Sequence, residues 1–320
     1  MPDLFASVDL GGTKTSAALG TADGQIVCQA TMPTDSHAGP EDVLNRLGVL
    51  LDDLIRQAGR RPVALGIGVP GLADLRRGTT LFLPNLPTHW RDVPVRDRLE
   101  PRLGCPVYLL NDVRMLTLGE LMFGLGQTAH TMAFFALGTG IGGGLAIDGR
   151  LRLGPLGAAG ELGHQTILPD GPRCGCGNRG CLEVLASGPA IAAQGVWLMQ
   201  CGRAPRLYQI VGGDVSRVTP REMVAAAEAG DGAVREALER CAEYVGIAAA
   251  NVVTIIHPDL IVLGGGVADI GPILLDTVRR VIRSRVGMFP ADDVRVERSR
   301  FGDRAGLLGG LALAARNGAV

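Results

Sequence analysis

Three cysteines and a histidine occur close together in the stretch 161–183, which reads ELGHQTILPDGPRCGCGNRGCLE. Cys174, Cys176 and Cys181 are spaced C-x-C-x-x-x-x-C, and His164 lies ten positions before the first of them. Thiolates and imidazole are the ligands that zinc prefers, and four protein ligands close a tetrahedral site. The spacing therefore predicts a structural zinc ion that shapes a loop and has no position left for a substrate water.

Two other interpretations of the three cysteines are a disulfide pair and a set of buried free thiols. A disulfide would need an oxidising compartment, which nothing else in the chain suggests. Free thiols in a turn rich in glycine would be exposed to oxidation. Zinc is therefore favoured, and a rigid metal-bound loop would hold the flanking Glu161, His164 and Glu183 as polar groups that grip a hydroxylated ligand.

Length and composition predict a soluble, cytoplasmic protein with two domains. The chain has 320 residues, 47% of them hydrophobic, which is enough for two cores. The net charge of -1 gives no broad basic surface for nucleic acid. The first residues lack the basic and apolar regions of a signal peptide, and no apolar run approaches the ~20 residues of a membrane span.

The only lysine, Lys14, lies in the glycine-rich segment DLGGTKT. Strand patterns flank Gly11 and Gly12, and a hairpin signal at Asp23-Gly24 leads into a third strand, which together predict a three-stranded antiparallel meander. Backbone N–H groups in such a turn can bind phosphate oxygens, and a lysine supplies a compact charge beside them. The P-loop pattern is absent. Chance placement of the lysine is the alternative.

A second glycine-rich turn, Gly138 to Gly144, follows a predicted strand. It contains G-x-G-x-x-G, but a strand and an Asp148-Gly149 hairpin come next where a dinucleotide-binding fold needs a helix, so that interpretation is rejected. Two strand–turn–strand units predict a duplicated architecture that holds phosphates. A third glycine run, Gly264 to Gly266, either admits a flat ligand such as adenine or forms a tight turn.

Polar side chains follow the predicted strand that ends at Leu110. Asp112 stands at the end of this strand and before a helix, a common place for a catalytic base in α/β folds. A helix N-cap is an equally good interpretation of the same position. Asn85 lies in a loop broken by prolines, where its amide either contacts sugar hydroxyls or stabilises a turn.

Taken together, these motifs identify a resemblance to the ROK family (repressors, uncharacterised reading frames and sugar kinases) of the actin-like ATPase superfamily. The segments DLGGTKT at 9–15, LGTGIGGG at 137–144 and LGGGV at 263–267 resemble its two phosphate motifs and its adenosine motif. The most specific match is E-x-G-H…C-x-C-G-x-x-G-C-x-E over 161–183. The resemblance covers nearly the whole chain.

The resemblance implies a two-lobed α/β fold of the actin-like ATPase (ribonuclease H-like) type with a zinc-bound loop. We expect a smaller lobe over residues 1–113, joined by the C-terminal helix 305–320, and a larger lobe over 114–304 that carries the zinc loop 161–183. A homodimer or homotetramer is expected from the resemblance alone.

The resemblance also implies an ATP-dependent hexose kinase that phosphorylates the 6-hydroxyl of a hexose, most simply glucose, in carbohydrate metabolism. Asp112 would be the general base, Asp9 would orient Mg²⁺, and His164 would bind both zinc and sugar. The implied sugar contacts are Asn85, Asn111, Asp112, Glu161, His164 and Glu183. The implied nucleotide contacts are Asp9, Gly11, Gly12, Thr13, Lys14, Gly138, Thr139, Gly140, Gly264, Gly265 and Gly266.

The chain departs from the family motif after the base. Family kinases read N-D-A-N-x-A-A where this chain reads NDVRMLT, so Arg114 replaces an asparagine. Alternative acceptors are fructose, mannose and an N-acetylhexosamine (N-acetylglucosamine or N-acetylmannosamine). Two different functions are an inactive sugar-binding protein and a sugar-responsive transcription regulator. Regulators in the family carry an N-terminal DNA-binding domain, for which the few residues before the first predicted strand leave no room.

Overall fold

The computed structural model describes residues 2–84, 86–87 and 89–320, except for the side chain of Asp303. The chain forms two compact units. The first unit comprises residues 1–129, 144–160 and 303–320, and the second comprises residues 130–143 and 161–302. This division differs from the predicted boundary at residue 113. That boundary falls inside a single continuous helix, Asp112–Phe123, which stays whole in the first unit.

The first unit contains a mixed five-stranded sheet with the order β3-β2-β1-β4-β7. Its strands are β1 (Phe5–Leu10), β2 (Lys14–Gly20), β3 (Ile26–Pro33), β4 (Leu65–Val69) and β7 (Val107–Asn111). The first three pair antiparallel, which confirms the predicted meander, and β4 pairs in parallel with both β1 and β7. A separate hairpin is formed by β5 (Leu72–Asp74) and β6 (Thr79–Phe82).

The α-helices described in this unit are α1 (Pro40–Ala58), α2 (Val95–Leu103), α3 (Asp112–Phe123) and, from the end of the chain, α10 (Ala305–Ala315). Helices α3 and α10 approach each other closely because both contain glycines at the crossing. A Cβ at Gly309 would overlap the carbonyl oxygen of Met115, and a Cβ at Gly119 would overlap that of Ala305. The fold therefore brings the last helix of the chain against the helix that follows the predicted base.

The second sheet has the order β10-β9-β8-β11-β12. Its strands are β8 (Met132–Leu137), β9 (Ile141–Ile147), β10 (Arg150–Leu151), β11 (Leu260–Gly264) and β12 (Arg295–Arg298). The order repeats that of the first sheet, and β11 pairs in parallel with β8 and β12 as β4 does with β1 and β7. Strand β9 and the positive φ angles of Asp148 and Gly149, 54° and 68°, match the predicted strand and hairpin after the second glycine turn.

The helices of the second unit are α4 (Leu182–Ala186), α5 (Gly188–Gln200), α6 (Pro205–Val211), α7 (Pro220–Glu228), α8 (Gly232–Ile256) and α9 (Pro272–Arg285). Helix α8 is the longest, and it buries a stripe of small and branched apolar residues, including Ala242, Val245 and Val253. Among the described residues, no helix combines the length and apolar character needed to span a bilayer.

Candidate functional site

The parallel strands of the first unit bring three polar residues to one edge of the sheet. Asp9 in β1 pairs in register with Gly68 in β4, and Val69 in β4 pairs with Asn111, the last residue of β7. Asp112 follows immediately as the first residue of α3. The carboxyl ends of parallel strands are where open α/β sheets place their ligand sites. Asp9, Asn111 and Asp112 are all half-buried there.

Asn111, rather than Asp112, is the N-cap residue of α3. The Asn111 Oδ1 atom accepts hydrogen bonds from the backbone N–H groups of Val113 and Arg114, both at 3.1 Å. Its Nδ2 group donates to Asp112 Oδ1 at 2.9 Å and to the carbonyl oxygen of Gly71 at 3.2 Å. A carboxylate held by a neighbouring amide at a helix start has the fixed orientation that a positioned base requires.

The first glycine turn is shaped by two hydroxyl side chains from the segment after β3. The Thr34 hydroxyl donates to the carbonyl oxygen of Gly11 at 2.7 Å and lies 2.8 Å from the Thr15 hydroxyl. Ser36 donates to the carbonyl oxygen of Gly12 at 3.4 Å. Because these hydrogen bonds fix the carbonyl groups of Gly11 and Gly12, the turn keeps one conformation. Thr13 and Lys14 at its tip are exposed to solvent.

In the second unit, the two remaining glycine segments lie at the ends of neighbouring strands. Strands β8 and β11 run parallel, with Ala136 opposite Gly264. Gly265 has a φ of 84°, and a Cβ there would overlap the carbonyl oxygen of Leu137 just before the turn at Gly138. The turn is also held by the N–H of Gly188, which donates to the carbonyl oxygen of Gly138 at 2.8 Å.

Glu183 joins this second glycine turn to the cysteine loop. Its Oε2 atom accepts a hydrogen bond from the backbone N–H of Ile141 at 3.0 Å, and its Oε1 atom lies 3.8 Å from the Sγ of Cys174. A Cβ at Gly140 would come within 2.6 Å of the same carboxylate. Glu183 therefore stabilises the turn, a role that the sequence interpretation, a sugar contact, did not include.

The cysteine loop brings together the four side chains predicted to bind zinc. One ligand atom from each of His164, Cys174, Cys176 and Cys181 lies within 4.8 Å of the others. The His164 Nδ1 atom is 3.6 Å from Cys174 Sγ, and the Sγ atoms of Cys176 and Cys181 are 3.7 Å apart. A tetrahedral zinc ion with ordinary bond lengths requires separations of about 3.6 Å for N to S and about 3.8 Å for S to S.

The backbone of the loop folds tightly enough to allow this arrangement. The N–H of Cys174 donates to the carbonyl oxygen of Asn178 at 2.8 Å, and the N–H of Gly177 donates to that of Cys174 at 3.0 Å. Gly180 has a φ of 60°, and a Cβ there would overlap the carbonyl oxygen of Leu168. Only glycine fits at this position without strain.

The pKa values of the three thiols are shifted in different directions. Burial raises the pKa of Cys181 to about 12 and also raises the pKa of Cys174. A hydrogen bond from the backbone at Asn178 lowers the pKa of Cys176. Burial therefore keeps Cys174 and Cys181 protonated at neutral pH in the absence of a metal ion, and a zinc ion would displace these protons on binding. A disulfide is excluded for Cys176 and Cys181, since a bond would need about 2.05 Å between the sulfur atoms.

The remaining predicted site residues differ in placement. Glu161 is exposed and precedes a short 3₁₀ helix, Leu162–His164, in the second unit. Thr139, Gly140, Gly265 and Gly266 are also exposed. Asn85, the predicted sugar contact in the proline-rich loop, lies outside the described residues. Thr34 and Ser36, which hold the first glycine turn, were not predicted, because the pattern of the chain gives no signal for them.

Comparison with known proteins gives consistent matches over the whole chain. The model of the ROK family matches residues 5–317. A glucokinase from Streptomyces coelicolor is 33% identical over 316 residues, which cover 97% of each chain. The crystal structure of a ROK family glucokinase from Streptomyces griseus in complex with glucose and AMPPNP has a TM-score of 0.83 and 33% identity, and the match covers 98% of this chain and 99% of that one. A xylose repressor from Caldicellulosiruptor bescii is 32% identical over 96% of this chain and 76% of its own length.

Proposed function

The chain belongs to the ROK family, and we propose that it is an ATP-dependent kinase that transfers the γ-phosphoryl group to the 6-hydroxyl of glucose. The observation that supports this most directly is the pair Asn111–Asp112 at the carboxyl end of β7. There, the amide holds one carboxylate oxygen at 2.9 Å. The relatives named glucokinase, including one whose structure contains glucose and AMPPNP, support the choice of both substrates.

In the proposed reaction, Asp112 accepts the proton of the sugar hydroxyl as that oxygen attacks the γ-phosphorus and the bond to the leaving ADP oxygen breaks. Phosphoryl transfer depends mostly on positioning and on neutralising charge. The backbone N–H groups of the turn around Gly11 and Gly12, held by Thr34 and Ser36, and the ammonium of Lys14 suit phosphate oxygens. Asp9 would hold Mg²⁺, which neutralises charge on the phosphates when it is bound.

In the second unit, Gly138, Thr139 and Gly140 provide a turn suited to phosphate. Gly265 and Gly266, which follow the buried Gly264, provide exposed backbone suited to adenosine. Glu161, His164 and Glu183 remain the proposed sugar contacts, with Asn111. We also propose that His164, Cys174, Cys176 and Cys181 hold a structural zinc ion, since their separations fit one. A two-lobed actin-like arrangement, a cytoplasmic location and a homodimer or homotetramer stay predictions.

A coupled assay of ADP formation tests the function. The purified protein is given ATP and Mg²⁺ with glucose, mannose, fructose, N-acetylglucosamine or N-acetylmannosamine in turn. We expect the highest kcat/KM with glucose. A higher kcat/KM with an N-acetylhexosamine or with fructose would identify that sugar as the substrate instead of glucose. ADP formation that no sugar stimulates would contradict the kinase proposal.

The match to a xylose repressor favours one second candidate, a sugar-responsive regulator. Such a protein binds sugar without turning over ATP. Calorimetric titration with glucose and with xylose, combined with the ADP assay, separates the two. Sugar binding without sugar-dependent ADP formation would support the regulator.

A further inference from the structure

The buried Arg114, two residues after the predicted base, is not used by the mechanism above, and it departs from the family motif. We propose that Arg114 is a positioning residue. Its guanidinium fixes the Asn111 amide so that the amide orients Asp112, and it ties this pair to the backbone at Ala158 and Ala159. The inference rests on the proposed kinase function for its consequence in catalysis.

Arg114 contacts Asn111 and the segment at Ala158 and Ala159, both in the first unit. The residue is only 1% exposed. Its Nη1 donates to Asn111 Oδ1 at 3.1 Å, and its Nη2 donates to the carbonyl oxygens of Ala158 at 3.0 Å and Ala159 at 2.9 Å. Its Nε donates to Ala159 as well, at 3.1 Å. A guanidinium offers five N–H donors in a fixed planar arrangement, so these contacts define one orientation of the group.

This arrangement determines which way the Asn111 amide faces. The Oδ1 atom meets three donors, the backbone N–H groups of Val113 and Arg114 and the Arg114 Nη1 group. A flipped amide would turn its own N–H groups toward those donors and leave them unpaired, which is costly for partly buried groups. The Nδ2 group is consequently directed to Asp112 Oδ1 and to the carbonyl of Gly71.

The same guanidinium fixes the backbone just before a proposed sugar contact. Ala159 precedes Glu161 by two residues, and the Ala159 N–H donates to the carbonyl oxygen of Leu153 at 2.9 Å, which closes this segment. The asparagine of the family motif has a shorter side chain with two donors. It cannot hold two carbonyls and a neighbouring amide at once, so in this chain Arg114 supplies an anchor that the family motif does not contain.

The test compares Arg114→Met with Arg96→Met. Arg96 is a matched control because its guanidinium also holds backbone carbonyls of the first unit, those of Val107 at 3.0 Å and Leu75 at 3.1 Å. Arg96 itself lies in α2 and contacts the first residue of β7, at the opposite end of that strand from Asn111. A base displaced by about 1 Å costs on the order of 100-fold in rate. We expect Arg114→Met to lower kcat for glucose by about 10- to 100-fold with a smaller change in KM, and Arg114→Lys to recover part of it.

Hydrogen exchange supplies a readout that does not depend on activity. Arg114→Met should speed exchange in peptides that contain the Ala159 amide, and Arg96→Met should instead affect the peptides around residues 75–78. The inference is overturned if Arg114→Met leaves exchange at 157–161 as in the wild type. It is also overturned if the wild type is an active kinase and Arg114→Met lowers kcat no more than Arg96→Met does, when both variants show the same loss in Tm. A wild type that phosphorylates no hexose contradicts the kinase proposal alone, because the exchange comparison still decides whether Arg114 fixes this segment.

Discussion

Removal of the proposed zinc ion is the sharpest perturbation of the second unit. A ligand that binds only the folded state at 100 times its Kd stabilises that state by about 2.7 kcal/mol. For a unit of roughly 150 residues, each kcal/mol shifts Tm by about 2–4 °C, so chelation should lower the Tm of this unit by about 5–11 °C. Differential scanning calorimetry with and without a chelator measures the shift.

Alkylation of individual cysteines provides the matched control. Cys176 and Cys201 are both exposed, but only Cys176 lies in the cluster of four ligands. In zinc-supplemented protein we expect iodoacetamide, followed by mass spectrometry, to modify Cys201 much faster than Cys176. After chelation the two rates should approach each other. Equal rates in the zinc-supplemented protein, together with an unchanged Tm on chelation, would refute the metal site. Cys176→Ser should reproduce the loss of Tm, whereas Cys201→Ser should not.

The remaining predictions concern the base, the first glycine turn and a buried thiol. Asp112→Asn should retain glucose binding by calorimetry but lose about 10²- to 10⁴-fold in kcat, and near-normal turnover would remove Asp112 as the base. Thr34→Val removes the hydroxyl that holds Gly11, at a cost of about 1–3 kcal/mol, and should raise KM for ATP several-fold, whereas Thr31→Val, at an exposed hydroxyl pair, should leave KM for ATP unchanged. Burial raises the pKa of Cys241 to about 12 from 9.0, so the folded thiol stays protonated while the unfolded thiol ionises. Its contribution to stability is therefore complete below pH 9 and is lost between about pH 9 and pH 12, a loss that denaturation curves of Cys241→Ala should lack.

Local patterns carried enough information to predict most of the fold. Helices α1, α8 and α9 have clear local signals, because proline or glycine marks their starts and apolar residues recur at helical spacing. The strand–turn–strand character of both glycine segments followed from the absence of a helix pattern behind them. The boundary between the units could not be predicted from local patterns, because it depends on which strands and helices pack together.

The candidate site could likewise be predicted from the sequence only in part. Ligand type and spacing were sufficient to select the four residues of the cysteine cluster. The sequence could not assign the roles of the two residues at the end of β7. Asp112 suited either a base or a helix N-cap, and the hydrogen bonds from the N–H groups of Val113 and Arg114 show that Asn111 is the cap. The contacts of Thr34 with Gly11 and of Glu183 with Ile141 join residues more than twenty positions apart and have no local signature.

The packing of α10 has a consequence for how the protein is made. The first strand and the last helix of the chain belong to one unit, and a Cβ at Gly306 would lie 2.6 Å from the carboxylate of Asp9. Chains emerge from the ribosome at roughly 5–20 residues per second, and contacts between distant segments form slowly. The sheet that carries Asp9 therefore waits for α10 until residues 305–315 have been synthesised, whereas the strands and helices of the second unit, residues 130–143 and 161–302, have been synthesised by then.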